Sequence, residues 1–140
     1  MKKSLSFAIS AGLAAGFAAS AAFGAGHALP KVVAADQSVA NGIISAKQVV
    51  AGENGWLVVH KTDGSKPGPV VGHAPIRAGV NDDVAAILTE PAAPGDKFML
   101  MVHSEAGGTK TGIFEYTLGA KEDGPIKPDG KLVMQIVTAK

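Results

Sequence analysis

The sequence has no cysteine in its 140 residues. Without a thiolate it can form no disulfide, no Cys-ligated zinc site, no iron–sulfur cluster, no thiol nucleophile and no blue-copper centre. An excess of charge of one sign is also absent, since 13 Lys and Arg oppose 12 Asp and Glu. This balance argues against a nucleic-acid binder, which carries a basic footprint, and against a polybasic membrane-binding segment.

Charge is missing from most of the first 28 residues. Lys2 and Lys3 are followed by an uncharged run rich in Ala and Gly, from Phe7 to Phe23, and then by small residues that offer cleavage sites. This three-part pattern predicts a signal peptide over residues 1–28. A membrane anchor is disfavoured because the run is short and no basic stop-transfer cluster follows it. We therefore expect a mature domain of residues 29–140 in the periplasm or secreted, its formal net charge changed from +1 to −1 by the loss of the two lysines.

Short β-rich runs alternate with Gly- and Pro-containing turns throughout the mature chain. This spacing is typical of an all-β fold, and we predict an antiparallel β-sandwich, cupredoxin-like or immunoglobulin-like, of about seven or eight strands. The predicted strands lie near 31–35, 42–50, 56–61, 70–74, 83–89, 97–103, 112–118 and 131–138. Strand 97–103 is apolar on both faces, which predicts a central strand covered on both sides. In 112–118, alternation places Phe114, Tyr116 and Leu118 on one face, expected to face the core.

Acidic residues concentrate in two segments predicted as turns, 81–83 and 121–130. Hard cations such as Ca²⁺ or a lanthanide need several oxygen ligands, which loops supply well. We predict such a site, with the ligands in two sets: first Glu122, Asp123 and Asp129, and second Asp82, Asp83 and Glu105. The alternative is that these acids are ordinary turn and surface residues, because Asp-Gly favours turns and lysines flank the second segment.

A softer ligand set lies on predicted strand 97–103. Period two places Met99, Met101 and His103 on one face, and thioether with imidazole is a ligand set for copper. A further ligand would have to come from elsewhere, with His60, His73 and Met134 as candidates that the sequence does not bring close. The alternative is that both methionines are core residues and His103 is hydrogen-bonded at the strand end.

No pattern indicates catalysis. Ser104 lies between His103 and Glu105, but neighbouring residues of a strand point to opposite faces and cannot form a nucleophile–base relay. The sequence has no Gly-x-Ser-x-Gly, phosphate loop or dinucleotide fingerprint. We therefore predict that the protein is not an enzyme. Trp56, the single Trp, is expected to be a core or core-edge aromatic, with a ligand-stacking role as the alternative.

Five segments, in this order, resemble a family of small exported β domains of unknown function from archaea and bacteria. They are Gly55–His60, Pro69–Gly72, Ala78–Gly79, Met101–Glu105 and Asp123–Ile126. The resemblance implies a cupredoxin-like or immunoglobulin-like sandwich and no particular activity, and Glu105 stands where the family has Asp. In character, though not in motif, the chain is also similar to periplasmic lanthanide-binding proteins of the landiscernin type. It has no EF-hand loop.

Together these observations predict an exported, non-enzymatic binding protein that captures or traffics a hard metal cation, a lanthanide or calcium. The alternatives are a metal-free structural or protein-interaction domain and a Met/His copper carrier. The expected partners are a metal ion or small chelate, a periplasmic protein, or a second copy joined through the metal. Nucleic acid and a stable membrane anchor are not expected.

Overall fold

The computed structural model describes residues 28–140. The predicted signal peptide, apart from Ala28, lies outside the described residues. Seven strands and one 3-10 turn follow each other in the order β1 Lys31–Val33, β2 Ile43–Ala51, β3 Gly55–Thr62, β4 Pro67–Ile76, β5 Gly79–Ile87, β6 Lys97–Ser104, the turn Pro128–Gly130, and β7 Met134–Thr138. Over residues 28–140, no helix has the length and hydropathy needed to span a membrane.

The strands form two antiparallel sheets, one of three strands in the order β1-β2-β5 and one of four in the order β4-β3-β6-β7. The predicted all-β antiparallel sandwich is therefore confirmed. Side chains from both sheets meet in one apolar core, in which Ile44 of β2, Leu57 of β3 and Leu100 of β6 are fully buried. Burial of this alternating apolar face stabilises the pairing of the sheets and determines which face of each strand points inward.

The two central strands of the larger sheet are buried on their outer face as well. On β6, Met99 and Met101 point away from the core and are still only 1% exposed, and Val58 of β3 is fully buried. This confirms that 97–103 is a central strand covered on both sides. A second layer must therefore lie over the outer face of the larger sheet.

That layer is the segment 105–126, which we call the strap, and it contains no strand, contrary to the prediction for 112–118. Its middle part turns repeatedly at glycines with positive φ such as Gly112 and Gly119 and makes local backbone bonds, as from Ala120 N–H to the Thr117 carbonyl. Only its C-terminal end is bonded to β6, where Ile126 N–H donates to the Val102 carbonyl and the Gly124 carbonyl accepts the Ser104 N–H.

The alternating apolar residues of 112–118 do not face the core between the sheets, and this prediction was wrong. Phe114 and Tyr116 pack on the outer face of the larger sheet and are half-buried, whereas Leu118 is 57% exposed. Alternation of apolar residues therefore also occurs in a segment that packs flat on a sheet without forming strand hydrogen bonds with it.

Candidate functional site

Beneath the strap, six side chains of β3 and β6 share the outer face of the larger sheet. The strand register arranges them in three neighbouring rows, which are His60 with Met99, Val58 with Met101, and Trp56 with His103. All six are buried. Polar imidazoles at two positions of an otherwise apolar face need partners, because an unpaired buried polar group is destabilising.

The two buried histidines contact each other. Nε2 of His60 lies 3.2 Å from Nε2 of His103, and the ring centroids are 5.3 Å apart. Tyr116 of the strap covers the pair with its ring edge-on, 4.6 Å from the His103 ring and 5.9 Å from the His60 ring. The histidines are 0% and 1% exposed, so the pair is closed off from solvent.

The other nitrogen of each ring is hydrogen-bonded to a backbone carbonyl. Nδ1 of His60 lies 2.7 Å from the Gly68 oxygen, and Nδ1 of His103 lies 2.6 Å from the Asp123 oxygen. A carbonyl oxygen can only accept, so each Nδ1 must carry the hydrogen. A neutral imidazole has one N–H, and therefore each Nε2 presents a lone pair to the other Nε2.

Burial keeps both rings in this neutral form. Desolvation lowers the pKa of His60, and it lowers the pKa of His103 to about 4, with the repulsion that two protonated rings would exert on each other acting in the same direction. The hydrogen bonds to the carbonyls of Gly68 and Asp123 oppose the shift but are the weaker effect. At neutral pH the two Nε2 atoms therefore face each other as hydrogen-bond acceptors with no hydrogen between them. A cation between the nitrogens would remove the repulsion between their lone pairs.

Local backbone geometry places the two carbonyl oxygens next to the Nδ1 atoms. A Cβ on Gly68 would lie 2.7 Å from the Lys61 carbonyl, so only glycine allows this close approach where the pairing of β3 with β4 is irregular. Asp123 adopts the left-handed conformation with φ 44°, which Asp tolerates better than most residues. Its buried carboxylate accepts the N–H groups of Ala106 at 3.1 Å and Glu115 at 2.8 Å. The carboxylate thereby holds the Asp123 carbonyl against His103.

Glu105 also uses its carboxylate inside the protein. One oxygen accepts the Trp56 indole N–H at 2.6 Å, and the other accepts the Gly112 N–H at 2.9 Å. Glu105 therefore ties the strap to β3, and Trp56 is a core-edge aromatic with a satisfied N–H. Two of the predicted cation ligands, Asp123 and Glu105, thus hold the strap through their carboxylate oxygens.

The remaining predicted cation ligands are spread along the chain. Segment 81–83 is part of β5 and not a turn, and Asp82 accepts a bond from Gln48 of β2. Asp83 inside β5 and Asp129 in the 3-10 turn have left-handed φ values of 52° and 54°, a conformation that Asp tolerates better than most residues, and Glu122 accepts the N–H of Lys121. Between residues 28 and 140, no three carboxylate or imidazole side chains lie close enough to hold a metal ion together. A hard-cation site remains a prediction.

Of the three candidate partners for the Met/His set, His60 is the residue in contact with His103. His73 instead stacks on Phe114 at 4.6 Å, with Trp56 edge-on to it at 5.5 Å, and its pKa is lowered by partial burial. Met134 pairs with Met101 from β7 and is 37% exposed. The sequence contains the alternation Trp56-x-Val58-x-His60 that places His60 on this face, but the register that brings it to His103 depends on the folded sheet.

A solvent-open cleft of about 970 Å³ adjoins the covered pair at the edge of the strap. Its walls include Trp56, His73, Arg77 and Phe114. The cleft therefore lies beside the histidine pair but is separated from it by aromatic rings.

Fold and site together define a small antiparallel β-sandwich domain with a buried histidine pair under a strap. A family model described as a domain of unknown function (DUF7282) matches residues 30–140, and the chain belongs to this family. This confirms that the chain belongs to a family of unknown function, whereas the five segments that carried the resemblance and the likeness to landiscernin-type proteins stay predictions. A search of curated proteins found no match, and a search of solved structures found none.

Proposed function

We propose that this protein is an exported, non-enzymatic metal-binding protein and that its ion binds between Nε2 of His60 and Nε2 of His103. The observation that carries this proposal is the 3.2 Å approach of two nitrogens whose rings both have their hydrogen on Nδ1. Metal–imidazole bonds are about 2.0–2.1 Å long, so two imidazoles at a tetrahedral angle on one ion have nitrogens about 3.3 Å apart. The pair is thus already spaced for a shared ion.

The carbonyls behind the rings support the same proposal. Histidines that bind metals donate their second N–H to a carbonyl or carboxylate, which fixes the tautomer and the ring orientation. The carbonyls of Gly68 and Asp123 do this at 2.7 and 2.6 Å. The rings would therefore need little reorganisation to bind an ion.

The kind of donor determines the kind of ion. Neutral imidazole suits copper, zinc and similar transition metals, whereas Ca²⁺ and lanthanides require oxygen ligands. We therefore propose a softer ion under the strap in place of a hard cation at the loop carboxylates. Binding is favoured over catalysis because Tyr116 covers a pair that is at most 1% exposed, leaving little room for a substrate.

The test is thermal unfolding of metal-stripped protein, purified after expression of the full chain, with Cu⁺ under anaerobic reducing conditions and with Cu²⁺, Zn²⁺, Ca²⁺ and La³⁺. A native-state ligand raises the melting temperature. We expect Cu⁺, Cu²⁺ or Zn²⁺ to stabilise the wild type and not His60→Gln or His103→Gln.

His73→Gln is the matched control, because His73 lies on the same sheet but outside the pair. It should respond to the ion as the wild type does. Stabilisation by La³⁺ or Ca²⁺ alone would return attention to the carboxylates. A flat response to every ion, or an undiminished response in both pair variants, would overturn the proposal.

A further inference from the structure

Two nitrogen ligands leave an ion under the strap incompletely coordinated. Within the described part of the chain, no third imidazole or carboxylate joins His60 and His103. Any further protein donor must therefore be of another kind. The same sheet face offers one, because thioether sulfur is a ligand for soft metal ions.

The register identifies which methionine is best placed. The row of Val58 and Met101 lies midway between the row that contains His60 and the row that contains His103. Successive rows on one face are about 6.6–6.8 Å apart along the strands, so the two rings can meet through Nε2 only by leaning toward each other over the middle row. Met101 occupies that row and is 1% exposed.

The other methionines of this face are less well placed. Met99 lies in the row of His60, one row further from His103. Met134 shares the middle row but lies one strand further out, on β7, and is 37% exposed. Val58, the partner of Met101 in the middle row, has no donor atom.

We infer that Met101 completes the site with its thioether sulfur and that the ion is monovalent copper. This inference rests on the proposed function, since it requires the histidine pair to bind an ion. Two imidazoles and a thioether form a neutral ligand set that suits Cu⁺. A buried charge is unfavourable when no opposite charge accompanies it, so a monovalent ion is favoured here over Zn²⁺ or Cu²⁺. Cu⁺ also accepts three ligands, whereas zinc sites in proteins are usually four-coordinate.

X-ray absorption at the copper edge tests the inference directly, with selenomethionine-labelled protein loaded with Cu⁺. We expect a selenium neighbour of the copper in the wild type and in Met99→Leu, and its loss in Met101→Leu. Met99→Leu is a matched control, because Met99 lies on the same strand face with the same 1% exposure. Both substitutions nearly conserve volume, and melting of the metal-free variants checks that they fold.

Competition with a chromogenic Cu⁺ chelator gives the second measurement. Loss of even an outer-shell partner lowers metal affinity by about 10–100-fold, so we expect at least about a tenfold loss of Cu⁺ affinity in Met101→Leu. Met99→Leu should bind Cu⁺ nearly as the wild type does.

The outcomes separate this inference from the proposed function. Copper bound by nitrogen neighbours alone, with unchanged affinity in Met101→Leu, would overturn the role of Met101 and leave the histidine site standing. Loss of the selenium signal in Met99→Leu and not in Met101→Leu would likewise overturn it. Tighter binding of Zn²⁺ than of Cu⁺ would overturn the identity of the ion. No binding of any ion would remove the proposed function itself.

Discussion

Trp56 and Glu105 join the sheet to the strap through a hydrogen bond of 2.6 Å from the indole N–H to Oε2. The second carboxylate oxygen accepts the Gly112 N–H, so the Glu105 side chain connects Trp56 with Gly112, two residues that are far apart in the sequence. Closure of the strap keeps Tyr116 over the histidines and water away from them. The stability of the strap therefore controls access to the pair.

Replacing Glu105 with Gln should loosen the strap. The Gln carbonyl oxygen can accept a hydrogen bond from only one of the two donors. Its NH₂ group would then face the other donor, either Trp56 Nε1–H or Gly112 N–H. We expect the free energy of unfolding to fall by about 1–3 kcal/mol, as for a lost hydrogen bond to a charged group. Hydrogen exchange of strap amides should accelerate more than that of β3 and β6.

The exposed Glu53 provides the control, since Glu53→Gln is a surface change expected to alter stability by at most about 0.5 kcal/mol. Equal exchange rates in the strap of wild type and Glu105→Gln would show that Glu105 does not hold it.

Asp123 and Asp129 form a matched pair for a second prediction. Both have left-handed φ and both precede glycine, but Asp123 is 1% exposed and Asp129 is exposed. Asp123→Asn places an NH₂ group against one of two backbone N–H donors, so we expect a loss of about 1–3 kcal/mol. Asp129→Asn should change stability by at most about 0.5 kcal/mol, because Asn also tolerates this conformation. Chemical denaturation measures both values.

The same two variants test the hard-cation hypothesis. If these carboxylates bound Ca²⁺ or a lanthanide, Asp129→Asn would weaken that binding in spite of its neutral effect on folding. We expect no such weakening, and a clear loss of La³⁺ affinity in Asp129→Asn would contradict the assignment of Asp129 to a turn role alone.

Much of the architecture follows from the sequence, and the site follows only in part. Alternation identified β6 as a strand apolar on both faces, because period two is a local property. Segment 112–118 has alternating apolar residues as well, yet it pairs with no strand. The glycines near it turn the chain, and the Asp123 carboxylate accepts the Glu115 N–H that a neighbouring strand would otherwise bind. The contact of His60 with His103 spans 43 positions and depends on the register of β3 with β6. That register cannot be predicted from the sequence of either strand alone.

The protonation of the two histidines gives a third prediction. In metal-free protein at neutral pH, long-range ¹H–¹⁵N spectra should show His60 and His103 both as the Nδ1–H tautomer, with Nε2 unprotonated in each. This follows from the two carbonyl partners, which can only accept. The exposed His73 is the internal reference. An Nε2–H signal from either buried ring would contradict the arrangement of facing lone pairs.

The pH dependence of stability gives the fourth prediction. The pKa of His103 is lowered from 6.5 to about 4 in the folded protein, so between these values the unfolded chain binds a proton that the folded chain does not. The free energy of unfolding of metal-free protein should therefore fall as the pH is lowered from 6.5 toward 4. The contribution of His103 is about 3 kcal/mol, and His60 and His73 act in the same direction.

Urea unfolding across this pH range in wild type and His103→Gln isolates the contribution, which the variant should lose. Asp63 and Glu115 also have lowered pKa values, but their stabilising effect is lost mainly below 3.8 and 4.5, their ordinary values. If the two Nε2 atoms instead shared a proton, the pair would have a raised pKa, and stability would decline as the pH rises through it. The two cases therefore differ above pH 6.5, where a pair that already holds a proton loses stability as the pH rises and a pair with two facing lone pairs does not.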